Sequence, residues 1–389
     1  MKNKIFFKPA NGVVADIIPF FENNQFHLFY LHDFRNPAEH GEGTPWFHLS
    51  SADLTSYVEE GEALPRGSAH DQDLYVFTGS VIKVGKTFHI FYTGHNPHFR
   101  QNGKPEQAVM HATSADLKTW KKIPEDTFYA PKDAYESHDW RDPFVFYNAE
   151  ENNYWMLLAA RLKDGESKRQ GCTALCKSKD LKSWTVEEPL WSPHFHFTHE
   201  CPDLFKIGSW YYLIYSEFSD RRITRYRMAK DLKGPWLSPK DDQFDGRSFY
   251  AAKSISNGKE RFLFGWVPTK AGNKDSGAWQ WGGNLMAHHL YQKKNGELGE
   301  KPEASIQQYF SAKKVYAADE ITVDALGACR FVDLPLQLPE SFRVSLDVTM
   351  DAHVTRAGIS LRHDQKVDDG YVYALDASRQ QFMFDRFPN

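Results

Sequence analysis

Cysteine is scarce: Cys172, Cys176, Cys201 and Cys329 are spread over 389 residues and none belongs to a C-x-x-C pair. This excludes a disulfide scaffold, and free thiols suit a reducing compartment. Strong charge of either sign is missing as well. A formal net charge of -4 gives no electrostatic reason to expect nucleic acid or an anionic membrane as partner. Long apolar runs are absent too. The opening MKNKIFFKPANGVV holds an apolar run of only three residues, too short for a signal-peptide core or a membrane span, so a cytoplasmic protein is expected.

Aromatic residues are what the chain has in abundance. They make up 15% of it, with 11 Trp, 18 Tyr and 29 Phe, and no helical periodicity accompanies them. Strands and stacking surfaces are therefore favoured over helical bundles, and an uncharged small molecule is a more plausible ligand than a polyanion.

Five segments share one pattern: FHLFYLHD from Phe26, FHIFYTGH from Phe88, YWMLLAAR from Tyr154, YYLIYSEF from Tyr211 and RFLFGWVP from Arg261. Each reads as a strand apolar on both faces. A second pattern follows the first four: SSADLTSY, SADLKTW, SKDLKSW and AKDLKGPW, with KKNGEL at the comparable place in the fifth unit. The Ser/Ala-x-Asp-Leu element reads as a turn followed by an aromatic plug. Start-to-start spacings of 62, 66, 57 and 50 residues lie in the range of propeller blades or solenoid units. Two patterns recurring in phase predict an all-β fold, a five-bladed β-propeller over about residues 10–305 with four strands per blade.

The first strand of each propeller blade lines the central channel, so residues at its start converge from distant parts of the sequence. Counting back from the shared strands, Asp16 lies 10 residues before Phe26, Asp142 12 before Tyr154 and Glu200 11 before Tyr211. Ser80 and Ala251 fall near the same phase in blades two and five. Three acids around one axis repel, so one should hold a proton at neutral pH while the others stay ionised with help from Arg141. Two carboxyl groups in different protonation states, flanking an aromatic cavity, are the equipment for cleaving a glycosidic bond. The weakly polar neighbours Phe195, Phe197 and Cys201 and the approach of Asp142 across the channel would both favour a protonated Glu200.

An N-terminal acid before a strand, then FTGS (77–80), WRDP (140–143), HECPDLF (199–205) and DGRSFYAAK (245–253) together resemble glycoside hydrolase family 32, the invertases, levanases and inulinases. The resemblance implies that Asp16 is the nucleophile of a covalent fructosyl-enzyme, Glu200 the general acid and base, and Asp142 a transition-state stabiliser. It also places Arg141, Trp46 and His48 (in PWFHLS), Phe77 and Ser80 near a fructose pocket, and it calls for no cofactor and no metal. Two departures mark a divergent branch. GVVADIIPF stands where the family has Trp-Met-Asn-Asp-Pro-Asn-Gly, and NLMAHHL stands near a usual Pro-Arg-Glu segment.

Other signals have two readings each. Tyr250, Trp279 and Trp281 form either a sugar-stacking wall or blade packing. His194, His196 and His199 lack a ligand set of familiar spacing for zinc, and Asp139 and Asp203 are placed to orient a partner rather than react. The arginines of SDRRITRYR read as a solvated strand face, with a sugar phosphate as the sharper alternative. After residue 305 the repeat ends. FRVSLDVTM, GISLRH, GYVYALD and QQFMFDR then read as antiparallel strands of a β-sandwich-like module over 306–389, with fewer strands than that pattern implies. The expected activity is retaining hydrolysis of β-fructofuranosides such as sucrose or short fructo-oligosaccharides. Its rivals are an inverting arabinofuranosidase or xylosidase on the same scaffold and a non-catalytic sugar-binding propeller.

Overall fold

The computed structural model describes residues 5–219, 221–310, 323, 330–334, 337–339, 342–364 and 369–387. The chain divides into two compact units, Met1–Ser311 and Ala312–Asn389.

The first unit consists of five antiparallel four-stranded blades, whose inner strands are Val13–Glu22, Tyr75–Val84, Tyr135–Asn148, His199–Ile207 and Tyr250–Ser256. These inner strands contact one another in cyclic order, that of blade five packing against that of blade one. The N-terminal segment links these two blades: Val14 pairs with Gly283, and the Leu285 N–H donates to the Phe7 carbonyl at 2.9 Å. Each shared aromatic segment forms the second strand of its blade, buried on both faces as its composition dictates.

The Ser-x-Asp-Leu turns join third to fourth strands. In the first three blades the Ser51, Ser114 and Ser178 hydroxyls accept the N–H of Leu54, Leu117 and Leu181 at 2.8–3.0 Å, and each aspartate accepts two further backbone N–H groups. These local bonds hold the leucine at positive φ and press it into the core. The aromatic beyond the turn serves the preceding blade: Trp120 meets Phe29 edge-on at 5.8 Å and Trp184 meets Phe91 at 5.5 Å. The repeat motif is therefore a device for joining blades.

The second unit holds one three-stranded sheet, Arg356–Asp364, Asp369–Asp376 and Gln381–Phe387. FRVSLDVTM, expected as a strand, forms none. Its alternating Val344, Leu346 and Val348 remain exposed, and without a partner edge among the described residues the alternation has nothing to pair with. Cys329 lies outside the described residues. Among the described residues no helix is long and apolar enough to cross a membrane.

Candidate active site

Every inner strand carries a one-residue bulge at the same height. The register slips at Asp16, Thr78, Asp142–Pro143, Cys201–Pro202 and Ala251–Ala252, and Asp142, Cys201 and Ala251 sit at φ of 60°, 52° and 53°. Bulges re-aim side chains, and non-glycine residues at positive φ persist only where their surroundings hold them. The hold is visible. Asp142 N–H donates to Thr93 Oγ1 of blade two at 2.7 Å, and Ala251 N–H donates to Ser216 Oγ of blade four at 2.9 Å.

Asp16, Thr78, Asp142, Cys201 and Ala251 thus form one ring, and their contacts close across it. Thr78 Oγ1 donates to Asp16 Oδ2, and Cys201 Sγ lies 3.7 Å from both Asp16 Oδ2 and Asp142 Oδ2. Ser80, expected in this ring, sits two residues farther along. Its hydroxyl accepts the Val145 N–H at 2.9 Å, and it lines a separate cavity of about 280 Å³ that contains none of Asp16, Asp142 or Glu200. The fixed count back from the second strand is ten, which selects Thr78, Cys201 and Ala251. Asp142 sits at twelve because the blade-three hairpin has a longer loop.

One residue earlier on each strand comes a second layer: Ala15, Phe77, Arg141, Glu200 and Tyr250. Arg141 organises it. Its Nη1 donates to Asp139 Oδ1 at 2.7 Å and to Gln107 at 3.4 Å, and its Nη2 donates to Glu200 Oε1 at 2.9 Å and to Thr198 at 3.2 Å. Burial alone would lower the Arg141 pKa, but Glu200, Asp142 and Asp139 more than reverse this and raise it. Tyr250 donates to the other Glu200 oxygen, Oε2. Glu200 therefore faces two strong donors, whereas Phe195 is largely exposed and Phe197 packs under Arg161 at 4.1 Å. The two phenylalanines expected beside Glu200 pack on Trp191, His196, Arg161 and Phe218 instead, while Cys201 is buried in the ring.

Asp139 bridges Arg141 and Arg161, and Asp203 accepts both Ser254 N–H and Oγ–H. Each orients a neighbour. Trp46 is fully buried, and its Nε1 donates to the Phe77 carbonyl at 3.1 Å, so it supports the pit wall from behind. His48 is 2% exposed, stacked on Phe29 at 4.4 Å and bonded to His27. Blade two repeats this set as His111, Phe91 and His89, which makes His48 an element of the blade interior. His199 is buried against Trp191 and Tyr215. Trp266, unmarked in the sequence reading, donates Nε1–H to Asp16 Oδ1 at 2.8 Å and meets Tyr250 and Trp281 edge-on. The half-buried Trp281 and Phe77, the latter stacked on His95, extend the wall.

Burial raises the pKa of Asp16, and the Glu200 charge adds to this against the Thr78 and Trp266 hydrogen bonds. Asp142 is pushed up to about 7, chiefly by burial, with Glu200 and Asp16 adding and Arg141 and the Cys201 N–H opposing. The native state thus binds a proton at Asp142 that the unfolded chain releases near its ordinary 3.8. The stability tied to that proton is complete below about pH 4 and is lost as pH rises through about 7. Urea midpoints measured from pH 4 to 8 should show wild type losing ground against Asp142→Asn across this window. Parallel curves would contradict the shift.

A family model described as the glycosyl hydrolases family 32 N-terminal domain matches residues 6–302. A sucrose-6-phosphate hydrolase of Escherichia coli is 25% identical over 299 residues, covering 72% of this chain and 60% of that protein. One from Vibrio alginolyticus is 23% identical over 382 residues, covering 94% of this chain and 71% of the relative. The crystal structure of an exo-inulinase from Aspergillus awamori superposes with a TM-score of 0.73 at 18% identity, over 99% of this chain and 82% of that one. The chain spans about three fifths of the length of the Escherichia coli relative.

Proposed function

The chain belongs to glycosyl hydrolase family 32, and from that membership and the geometry of the pit we propose that it cleaves terminal β-fructofuranosides with retention. One observation carries the reading: carboxyl groups from blades one, three and four meet in one pit, Asp16 and Asp142 through Cys201 and Glu200 through Arg141. Asp16 is the nucleophile. It is immobilised by two donors, Trp266 on Oδ1 and Thr78 on Oδ2, one for each carboxylate oxygen. Glu200 protonates the departing oxygen and later deprotonates water, and the Tyr250 hydroxyl and Arg141 fix its orientation. Asp142, beside both, holds sugar hydroxyls and stabilises positive charge at the anomeric carbon.

The departures from the family's usual opening have a structural counterpart. Ala15, before the nucleophile, offers no side-chain donor, and Thr78 and Trp266 supply the fixing bonds instead. The free, buried thiols of Cys172, Cys176 and Cys201 support a cytoplasmic setting. Incubation with sucrose and short fructo-oligosaccharides is expected to release fructose, whereas arabinose or xylose released from a panel of arabinosides and xylosides would overturn the proposal.

Trp266→Phe should keep the wall and lose the bond to Asp16. A hydrogen bond to a charged group is worth about 1.5–3 kcal/mol, so the Asp16 pKa should climb by about one to two units. The acid limb of the kcat/KM profile should move to higher pH by that amount. An unmoved limb would remove Asp16 from the nucleophile's role or Trp266 from its control.

A further inference from the structure

Lys253 is a buried cation with no part in the chemistry proposed above. It stands one layer below the ring of acids. Two residues past the ring, the five inner strands carry Ile18, Ser80, Phe144, Asp203 and Lys253, each paired with the same position of its second strand: Phe29, Phe91, Leu157, Ile214 and Phe264. All five line the cavity of about 280 Å³ that continues the channel on the side away from Glu200 and Arg141. Only Asp203 and Lys253 bring charge to this layer, and they are 1% and 2% exposed.

The lysine reaches across to blade four. The bulge there takes Cys201 and Pro202 out of register with the neighbouring strand. This frees the Pro202 carbonyl, and a buried carbonyl needs a donor. Lys253 Nζ supplies it at 2.8 Å, with the ammonium 5.0 Å from the centroid of the Phe144 ring. In the same bulge the Cys201 N–H donates to Asp142 Oδ2 at 2.9 Å, and the residue before it is Glu200. One ammonium thus holds, from blade five, the stretch of backbone that orients both Glu200 and Asp142.

A single carbonyl does not require a charge, because a neutral donor would satisfy it without the desolvation cost of a buried ammonium. The groups facing Lys253 supply the reason for one. Burial lowers its pKa, and Asp203 opposes this most, followed by Cys201, Asp142 and Asp16. Asp203 is committed to Ser254, on whose hydroxyl Arg261 also donates at 2.8 Å. Lys253 forms no ion pair among the described residues, its one hydrogen bond being that to Pro202. Its charge is therefore left to act on the acids of the ring.

Resting on the fructofuranosidase reading, we propose that Lys253 is a positioning residue of the reaction: it clamps the Cys201–Pro202 bulge and supplies, from beneath the ring, positive charge that keeps Asp16 and Asp142 available as carboxylates. The acids are then held between two cations, Arg141 in the layer above and Lys253 in the layer below. Sugar touches only the first.

Lys253→Met keeps the stem and removes donor and charge together. Its kcat for sucrose should fall about ten- to a hundredfold, the scale for misplacement by a remote side chain, with KM changed less than about threefold. The acid limb of the kcat/KM profile should move up by about half a pH unit or more. Lys253→Ala opens the place of the lysine to the cavity, and n-propylammonium should restore turnover saturably where n-propanol does not. A kcat close to that of wild type, an unmoved acid limb, or equal rescue by the alcohol overturns the proposal. If Lys253→Met does not fold, Lys253→Ala with and without n-propylammonium carries both measurements. If wild type releases no fructose, the fructofuranosidase reading fails and the carboxyl ¹³C titration of Asp142 decides separately. Its midpoint at about 7 should rise in the variant, and an unmoved midpoint overturns the role of Lys253.

Discussion

Asp16→Asn and Glu200→Gln should each cut fructose release by about a thousandfold or more, and they should do so in distinguishable ways. General acid–base groups contribute about 10²–10⁴-fold, and loss of a nucleophile closes the covalent route altogether. Asp16→Asn retains the shape and the Trp266 contact but cannot form the fructosyl-enzyme, so it should fail on every fructoside. Glu200→Gln loses the proton needed by a poor leaving group such as a sugar alkoxide. A fructoside with an acidic leaving group departs without that proton, so its first step should survive and the intermediate should accumulate. Azide, which attacks without a general base, should then restore turnover in Glu200→Gln and not in Asp16→Asn. Equal rescue of both variants, or turnover of sucrose surviving in either, would remove the proposed roles. Folding is not the confounder for Glu200→Gln, since the amide oxygen still accepts from Arg141 or Tyr250.

The parts of the site legible in the sequence were those that carry charge within a repeat. Asp16, Arg141, Asp142 and Glu200 stand out because an ionisable side chain just before a buried strand demands a reason. Thr78, Trp266 and Cys201 carry no such demand, although they touch Asp16 as closely. A signal for two of them existed. Thr78 lies ten residues before Phe88 and Cys201 ten before Tyr211, the separation of Asp16 from Phe26. An approximate phase and the motif resemblance both placed Ser80 instead, because neither fixes where the bulge falls. The same limit explains His48. The internal repeat of His27 and His48 by His89 and His111 shows a structural pair, which similarity to a distant family conceals. The strand expected at 342–350 failed for a different reason: alternation states which face would be buried and is silent on whether a partner edge exists.

Arg141→Met should produce the largest loss of stability of any single change at the site, about 3–5 kcal/mol near neutral pH, the range for breaking a buried ion pair by removing one partner. The side chain is 10% exposed and donates to Asp139, Glu200, Thr198 and Gln107. Its loss leaves carboxylates of Asp139, Glu200 and Asp142 close together without their shared counter-charge. Arg141→Lys should recover little, since one ammonium cannot reach the partners that a planar fork spans. The sign of the pH dependence follows from the protons. Arg141 holds Asp139 below its ordinary range and restrains the upward shift of Asp142, so removing it raises both and the variant's native state binds more protons. Its stability therefore falls more steeply with rising pH than that of wild type. Urea midpoints should show the deficit of Arg141→Met growing from pH 5 to pH 8, whereas a deficit constant across that interval would mean that lost packing, not stranded charge, is what the arginine guards against.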